Sequence, residues 1–205
     1  MVRSRIPFAL PGMRIGLFGG SFDPPHSGHL HVSLEALKRC RLDRVWWLVS
    51  PCNPLKQDAP APISERLAAA RRCALHPRLM VSDLELELGT GFTSETLNAL
   101  KSMYPGVRFV WIMGADNLVG FHLWNDWRWI LENFPVAIVS RPNQRLRAAG
   151  SVAARSYRRF RLAPEDAGIL ALSETPCWSL LEGPTLEISS SGIRNRTLGG
   201  IARYA

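Results

Sequence analysis

The chain has 205 residues, of which 46% are hydrophobic and 20% charged. These proportions suit a folded chain with one substantial core and exclude intrinsic disorder for its bulk. The formal net charge is +8, carried almost wholly by arginine because lysine stands only at Lys38, Lys56 and Lys101; arginine forks match phosphate and carboxylate, though a basic solvated surface would carry the same charge. No apolar run approaches the ~20 residues that span a bilayer. Phe8–Leu10 is too short for the core of a signal peptide. The expectation is a cytoplasmic protein without a membrane. Cys40, Cys52, Cys73 and Cys177 are scattered with no CxxC pair, which predicts free thiols.

In chain order, Arg14–Gly19 is a short apolar run ending in two glycines, as a buried parallel strand would. Residues 1–13 are expected to be an N-terminal extension, dispensable up to Gly12 if Met13 is the true start. Residues 14–205 are expected to be one domain. Leu30, Leu34 and Leu37 predict a helix over Ser27–Arg41, and Val45–Val49 a second strand. Ser50–Pro62 carries four prolines and reads as an exposed loop. Ile63–Leu75 is alanine-rich and helical, Leu79–Ser82 a third strand, and Thr93–Tyr104 a helix capped by Thr93 or Ser94. Val107–Met113 is the clearest strand. A tryptophan-rich helix is expected after Gly114-Ala115-Asp116 as far as Asn133, followed by strand Val136–Ser140. From Pro142 to Asp166 the pattern dissolves into an arginine-rich stretch, expected as a helix plus loop or as a mobile segment. Leu170–Leu172 and Trp178–Leu181 are weaker strand candidates, and a short helix follows Ser189-Ser190-Ser191. Strands alternating with helices predict an α/β fold with a doubly wound parallel sheet.

The informative segment is Gly19–His29, GGSFDPPHSGH. A strand ends in Gly19 and Gly20, a turn follows, and two histidines three residues apart stand at the start of a helix. Open sheets bind ligands at the carboxyl ends of their strands, and a helix N-terminus offers free N–H groups and a positive dipole end to phosphate. Gly19 and Gly20 would let a ligand approach the backbone, and Gly28 removes a side chain beside the histidines. His26 and His29 would project from one face of the first turn, each able to donate to a phosphate oxygen. Capping or surface histidines are the plainer alternative. Zinc would need a third ligand, for which Asp23 is the only local candidate. The absent GxGxxG disfavours a dinucleotide-binding dehydrogenase.

GGSFDPPHSGH resembles the signature of the nucleotidyltransferase superfamily with an (H/T)xGH motif, matched here by His26-Ser27-Gly28-His29. More narrowly, the chain resembles the bacterial nicotinate-nucleotide adenylyltransferases. SPCNPLK (Ser50–Lys56), FTSETL (Phe92–Leu97), MGADNL (Met113–Leu118), the helix opening at Trp124, SRP (Ser140–Pro142) and ISSSGIR (Ile188–Arg194) match in order, from Arg14 to about Arg196. The resemblance implies a Rossmann-like nucleotidyltransferase fold and adenylyl transfer from ATP to nicotinate mononucleotide. Positioning and charge stabilisation would suffice, with no protein nucleophile. It implies His26, His29 and Arg194 as catalytic residues. ATP would be bound by Gly19, Gly20, Ser21, Phe22, Gly28, Gly114, Asp116, Ser190 and Ser191, with Asp116 on the ribose. The mononucleotide would meet Lys56, Thr93, Trp124 and Arg141, with Trp124 stacked on the nicotinate ring and backbone groups near Thr93 and Trp124 receiving its carboxylate. Mg²⁺ is expected to arrive with ATP, which calls for no protein metal site.

Read without the resemblance, several of these residues have plain alternatives. Asp116 could form a turn, Trp124 and Trp127 could both be core, Ser190 with Arg194 could be a helix cap and a solvated arginine, and Arg141 a structural ion pair. Trp46, Trp47, Trp111, Trp127 and Trp129 are assigned to the core. Nicotinamide mononucleotide or phosphopantetheine as acceptor, a non-catalytic nucleotide sensor, and an RNA-binding module are the competing functions. The arginine-rich stretch lacks an RNP-like pattern, so no stable nucleic-acid partner is expected; a homo-oligomer stays open.

Overall fold

The structure, a computed structural model, describes residues 6–51, 59–140 and 145–182. Among them seven strands form one parallel sheet: β1 (Arg14–Gly20), β2 (Arg44–Val49), β3 (Leu79–Ser82), β4 (Arg108–Gly114), β5 (Val136–Ser140), β6 (Arg161–Leu162) and β7 (Trp178–Glu182), in the order β3-β2-β1-β4-β5-β7-β6. The helices are α1 (Ser27–Arg39), α2 (Ile63–Cys73), α3 (Leu84–Leu88), α4 (Thr93–Met103), α5 (Ala115–Gly120), α6 (Trp127–Asn133), α7 (Arg145–Ala149) and α8 (Val152–Ser156). The doubly wound parallel sheet expected from the alternating pattern is thus present.

Strand alternation explains why these runs are apolar at every position. Trp46 and Trp47 are adjacent and both fully buried, yet they face opposite layers. Trp46 joins Ile15, Leu17, Phe109 and Trp111 under α4 to α6, whereas Trp47 joins Phe18, Val110 and Ile112 under α1 and α2. Trp111 and Trp127 are core as expected, and Trp129 packs against the same layer.

Two expectations change, and the arginine-rich stretch gains definition. The tryptophan-rich helix is broken into α5, a 3-10 turn at Phe121–Leu123, and α6. Gly120 ends the first piece, Trp124 is extended, and Asp126 takes a left-handed φ of 50°, a conformation Asp tolerates better than most residues. Leu170–Leu172 is no strand, since it closes a 3-10 segment at Pro164–Leu172. Pro164 starts that segment, Glu165 and Asp166 suit its first turn, and Ala167, Leu170 and Ala171 turn one face to the core. The patternless stretch contains α7, α8, a 3-10 turn at Arg158–Phe160 and β6, an edge strand of 2 residues.

Residues 6–13 run along the N-terminal ends of the strands. The Tyr104 hydroxyl donates to the Pro7 carbonyl at 2.6 Å, and the Gly12 N–H donates to the Gly106 carbonyl at 2.8 Å. Ala9 and Met13 pack against the core. At the other end of the sheet, the chain winds outward from β1 to β2 and β3, then crosses to β4 and β5. The strand order therefore reverses between β1 and β4, and the crevice this opens at their carboxyl ends is where such folds place ligands.

Candidate active site

The segment after β1 enters α1 through His26, whose backbone is extended (φ −150°) and whose side chain is the helix cap. The Gly28 N–H donates to His26 Nδ1 at 3.1 Å, and the His26 N–H donates to His29 Nδ1 at 3.2 Å. Two otherwise unmatched donors of the helix start are thereby satisfied reciprocally, the job a Ser and a Glu do in a capping box. The bonds also decide the tautomers. An Nδ1 that accepts has no proton, so each neutral ring carries its hydrogen on Nε2, on the far side of the ring from the backbone. The imidazoles lie 3.9 Å apart between centroids. Capping and anion donation, alternatives in the sequence, are compatible functions of opposite nitrogens.

A floor of aromatic rings holds this turn. Phe22 stacks on Trp47 at 4.7 Å with planes 10° apart, and lies 4.9 Å from His29; Phe18 closes the group edge-on to both Phe22 and Trp47. Trp47 Nε1–H donates to Ser33 Oγ at 2.7 Å, whose hydroxyl donates to the His29 carbonyl at 2.9 Å. Phe22 has a φ of +46°, a strained conformation that costs about 1–3 kcal/mol in a side-chain-bearing residue. Its ring is 1% exposed, and burial of a Phe side chain, worth roughly 1.5–3 kcal/mol, offsets that strain. At Gly19 a Cβ would meet the Trp111 ring at 2.5 Å. This glycine is required by packing inside the protein, a reason the sequence reading did not anticipate.

Across the crevice, β4 ends at Gly114, and Asp116 stands exposed in the first turn of α5. A Cβ on Gly114 would run into Asp116 Oδ1, so the glycine makes room for the carboxylate. Trp124 is half-buried, with its ring edge-on to Phe121 at 5.2 Å and to Trp111 at 6.3 Å. Asn125 Nδ2–H donates to Ser94 Oγ at 3.4 Å, tying the turn after Trp124 to the start of α4. Thr93 is the first residue of α4 and does not cap it. Glu95 takes the cap's work by accepting from the N–H groups of Gly91 and Phe92 at 2.9 and 3.2 Å. The start of α4 is thus linked to the residue that follows Trp124, and a helix start is suited to receive an anion.

Lys56, Arg141, Ser190, Ser191 and Arg194 lie outside the described residues, as does Cys52. Cys40, Cys73 and Cys177 are free thiols, and burial pushes Cys40 up to about 12, which leaves it unreactive at neutral pH. Among the described residues, no three His, Cys, Asp or Glu side chains gather to hold a metal ion, and no helix is long and apolar enough to cross a membrane.

Two buried polar residues went unnoticed in the sequence. Arg66 in α2 is 3% exposed and donates to four backbone carbonyls, three at the β1 and β2 exits and one just before α2. Glu85 in α3 is also buried; desolvation pushes its carboxyl above the ordinary carboxylate range, and a hydrogen bond with Ser50 only partly opposes this. The folded state thus keeps this proton to higher pH than the unfolded chain. Stability falls as pH rises from the ordinary carboxylate value through the raised one. Glu85→Gln should consequently be more stable than the parent at neutral pH and indistinguishable from it in acid. Denaturant midpoints measured at both pH values test this, and an equal difference at both would show that the carboxyl's charge is not the cause.

Residues 17–196 match the model of the cytidylyltransferase-like family. A protein of Cereibacter sphaeroides named "Probable nicotinate-nucleotide adenylyltransferase" is 57% identical over 182 residues, 89% of this chain and 97% of its own. One of the same name from Ruegeria pomeroyi is 51% identical over 193 residues, 94% and 91% of the two chains. The chain belongs to the nicotinate-nucleotide adenylyltransferase family. Its fold is also that of solved members of that description: the Plasmodium falciparum nicotinic acid mononucleotide adenylyltransferase complexed with NaAD superposes with a TM-score of 0.67 at 18% identity, covering 89% of this chain and 83% of the other. For this member of the adenylyltransferase family, the histidine turn and the Trp124 corner occupy the two sides of one switch-point crevice.

Proposed function

We propose that the protein transfers the adenylyl group of ATP to nicotinate mononucleotide, giving deamido-NAD and pyrophosphate. A phosphate oxygen of the mononucleotide attacks the α-phosphorus of ATP in line. The bond from that phosphorus to the bridging oxygen of the β-phosphate breaks, and pyrophosphate leaves. The observation that carries the reading is the histidine pair at the start of α1. Its Nδ1 atoms accept from backbone N–H groups, which turns the Nε2–H edge of each neutral ring away from the helix start. Fixed donors aimed at charge that develops on phosphate oxygens stabilise the transition state without reorganising during the reaction.

In this reading His26 and His29 hold the phosphates together with Arg194. Gly19, Gly20, Ser21, Phe22 and Gly28 form the turn beneath them, and Ser190 and Ser191 add donors to the same phosphates. Asp116 accepts from the ribose hydroxyls, with Gly114 clearing its approach. Trp124 stacks on the nicotinate ring, the α4 start at Thr93 receives the carboxylate, and Lys56 and Arg141 approach the mononucleotide phosphate. Mg²⁺ enters as part of the nucleotide substrate, satisfied by phosphate oxygens and water. Residues 14–205 act as one domain, in the cytoplasm.

Pyrophosphate release with Mg-ATP, compared for nicotinate and nicotinamide mononucleotides, tests the reading. Strong preference for the acid is expected, because the start of α4 at Thr93 suits a carboxylate better than a neutral amide. Equal rates would retain adenylyl transfer and remove the acid specificity. Absence of release with either acceptor would overturn the function.

A further inference from the structure

We propose that Arg66 is a positioning residue, whose guanidinium sets the orientation of the phosphate-facing peptide between Ser21 and Phe22. The inference rests on the adenylyl-transfer reading and adds to it a residue distant from the histidine motif. Arg66 lies one turn into α2, on the same stripe as buried Leu67 and Ala70. Its Nε–H donates to the Ala61 carbonyl at 2.7 Å, Nη1 to the carbonyls of Ser21 and Ser50 at 2.7 Å each, and Nη2 to that of Pro51 at 2.9 Å. One planar fork thus clasps the exit of β1, the exit of β2 and the chain entering α2. The Asp23 carboxylate adds a second tie between the same segments by accepting from the Ala61 N–H at 3.4 Å.

Peptide geometry converts this clasp into a statement about the site. Across a trans peptide the C=O and N–H point in opposite directions. With the Ser21 carbonyl drawn to the guanidinium, the Phe22 N–H faces away from it. Arg66 also holds carbonyls at the β2 exit, so that N–H is turned away from the clasp that joins the two strand exits. It donates to no group among the described residues. Phe22 reaches this orientation at a left-handed φ, and relaxation of the peptide would swing the N–H out of place. Lysine cannot substitute for the clasp, because it offers three donors from one point where arginine offers five in a plane.

The test compares Arg66→Ala and Arg66→Lys with the parent, measuring kcat, both KM values and thermal midpoint, with and without added methylguanidinium. For Arg66→Ala, kcat per folded molecule should fall ~10²-fold, the scale of a small misplacement at a reacting centre. Methylguanidinium should restore part of the lost rate in Arg66→Ala and leave the parent unchanged. Arg66→Lys should remain folded with most of the kcat defect; it carries the test if the alanine variant does not fold. A lowered thermal midpoint with parental kcat would overturn the proposal and leave Arg66 a strut. Should the parent show no turnover, the adenylyl-transfer reading fails on its own. Titration with a non-hydrolysable Mg-ATP analogue then decides for Arg66: affinity weaker by about tenfold in Arg66→Lys, the scale of one charge-assisted hydrogen bond, supports the clasp, and parental affinity overturns it.

Discussion

His29→Ala is expected to lower kcat by ~10²–10³, the loss that follows removal of one preorganised donor from a developing charge. The structure adds a complication and the means to resolve it. His29 Nδ1 also accepts from the His26 N–H, so alanine removes a cap bond worth about 1 kcal/mol to the start of α1. That is a modest part of the roughly 5–15 kcal/mol by which folded domains are stable, and the variant should fold. His29→Asn separates the two functions. An asparagine oxygen can accept from the same N–H, while nothing takes the place of Nε2. Asparagine should recover thermal stability and leave kcat as low as alanine does. Recovery of both would reduce His29 to a capping residue, and an unchanged rate in folded His29→Ala would remove it from the mechanism.

Trp124→Ala should raise the KM for the mononucleotide by about tenfold to a hundredfold, matching roughly 1–3 kcal/mol for stacking a base on an aromatic ring. It should change kcat little, because stacking binds ground and transition states alike. The ring also packs on Phe121 and Trp111, so some thermal stability should be lost as well. Trp124→Phe, which keeps an aromatic surface there, should fall between the two in KM and recover much of the stability. A lowered melting temperature with an unaltered KM would make Trp124 a core residue alone. The support is itself crowded, since the Trp111 ring under Trp124 occupies the space of the missing Gly19 side chain.

The strands were legible because a sheet covered on both faces demands apolar residues at each position, and Trp46-Trp47 can be read only that way. The histidine turn was legible because a strand, two glycines and a helix start follow in unbroken order. Arg66 was hidden for a physical reason. In ISERLAAARRC it is one arginine of three, and composition does not distinguish it from exposed Arg71 and Arg72. The signal lay in periodicity: Arg66 falls on the stripe of Leu67 and Ala70, and a charge on a core-facing stripe must have its donors satisfied. The broken helix around Trp124 was missed because tertiary burial of Phe121 and Trp127 on either side overrides a run of helix-compatible residues. Leu170–Leu172 misled because a short apolar run does not distinguish strand from helix.

The strap formed by residues 6–13 gives the molecule a handle. Its anchors, Tyr104 to Pro7 and Gly12 to Gly106, lie where the strands begin, and the crevice lies where they end. A bead, sensor surface or fusion partner joined through this strap would meet the protein at its base. The mouth of the crevice would stay open to solution, so substrate exchange can be followed on immobilised molecules without the attachment standing in the way.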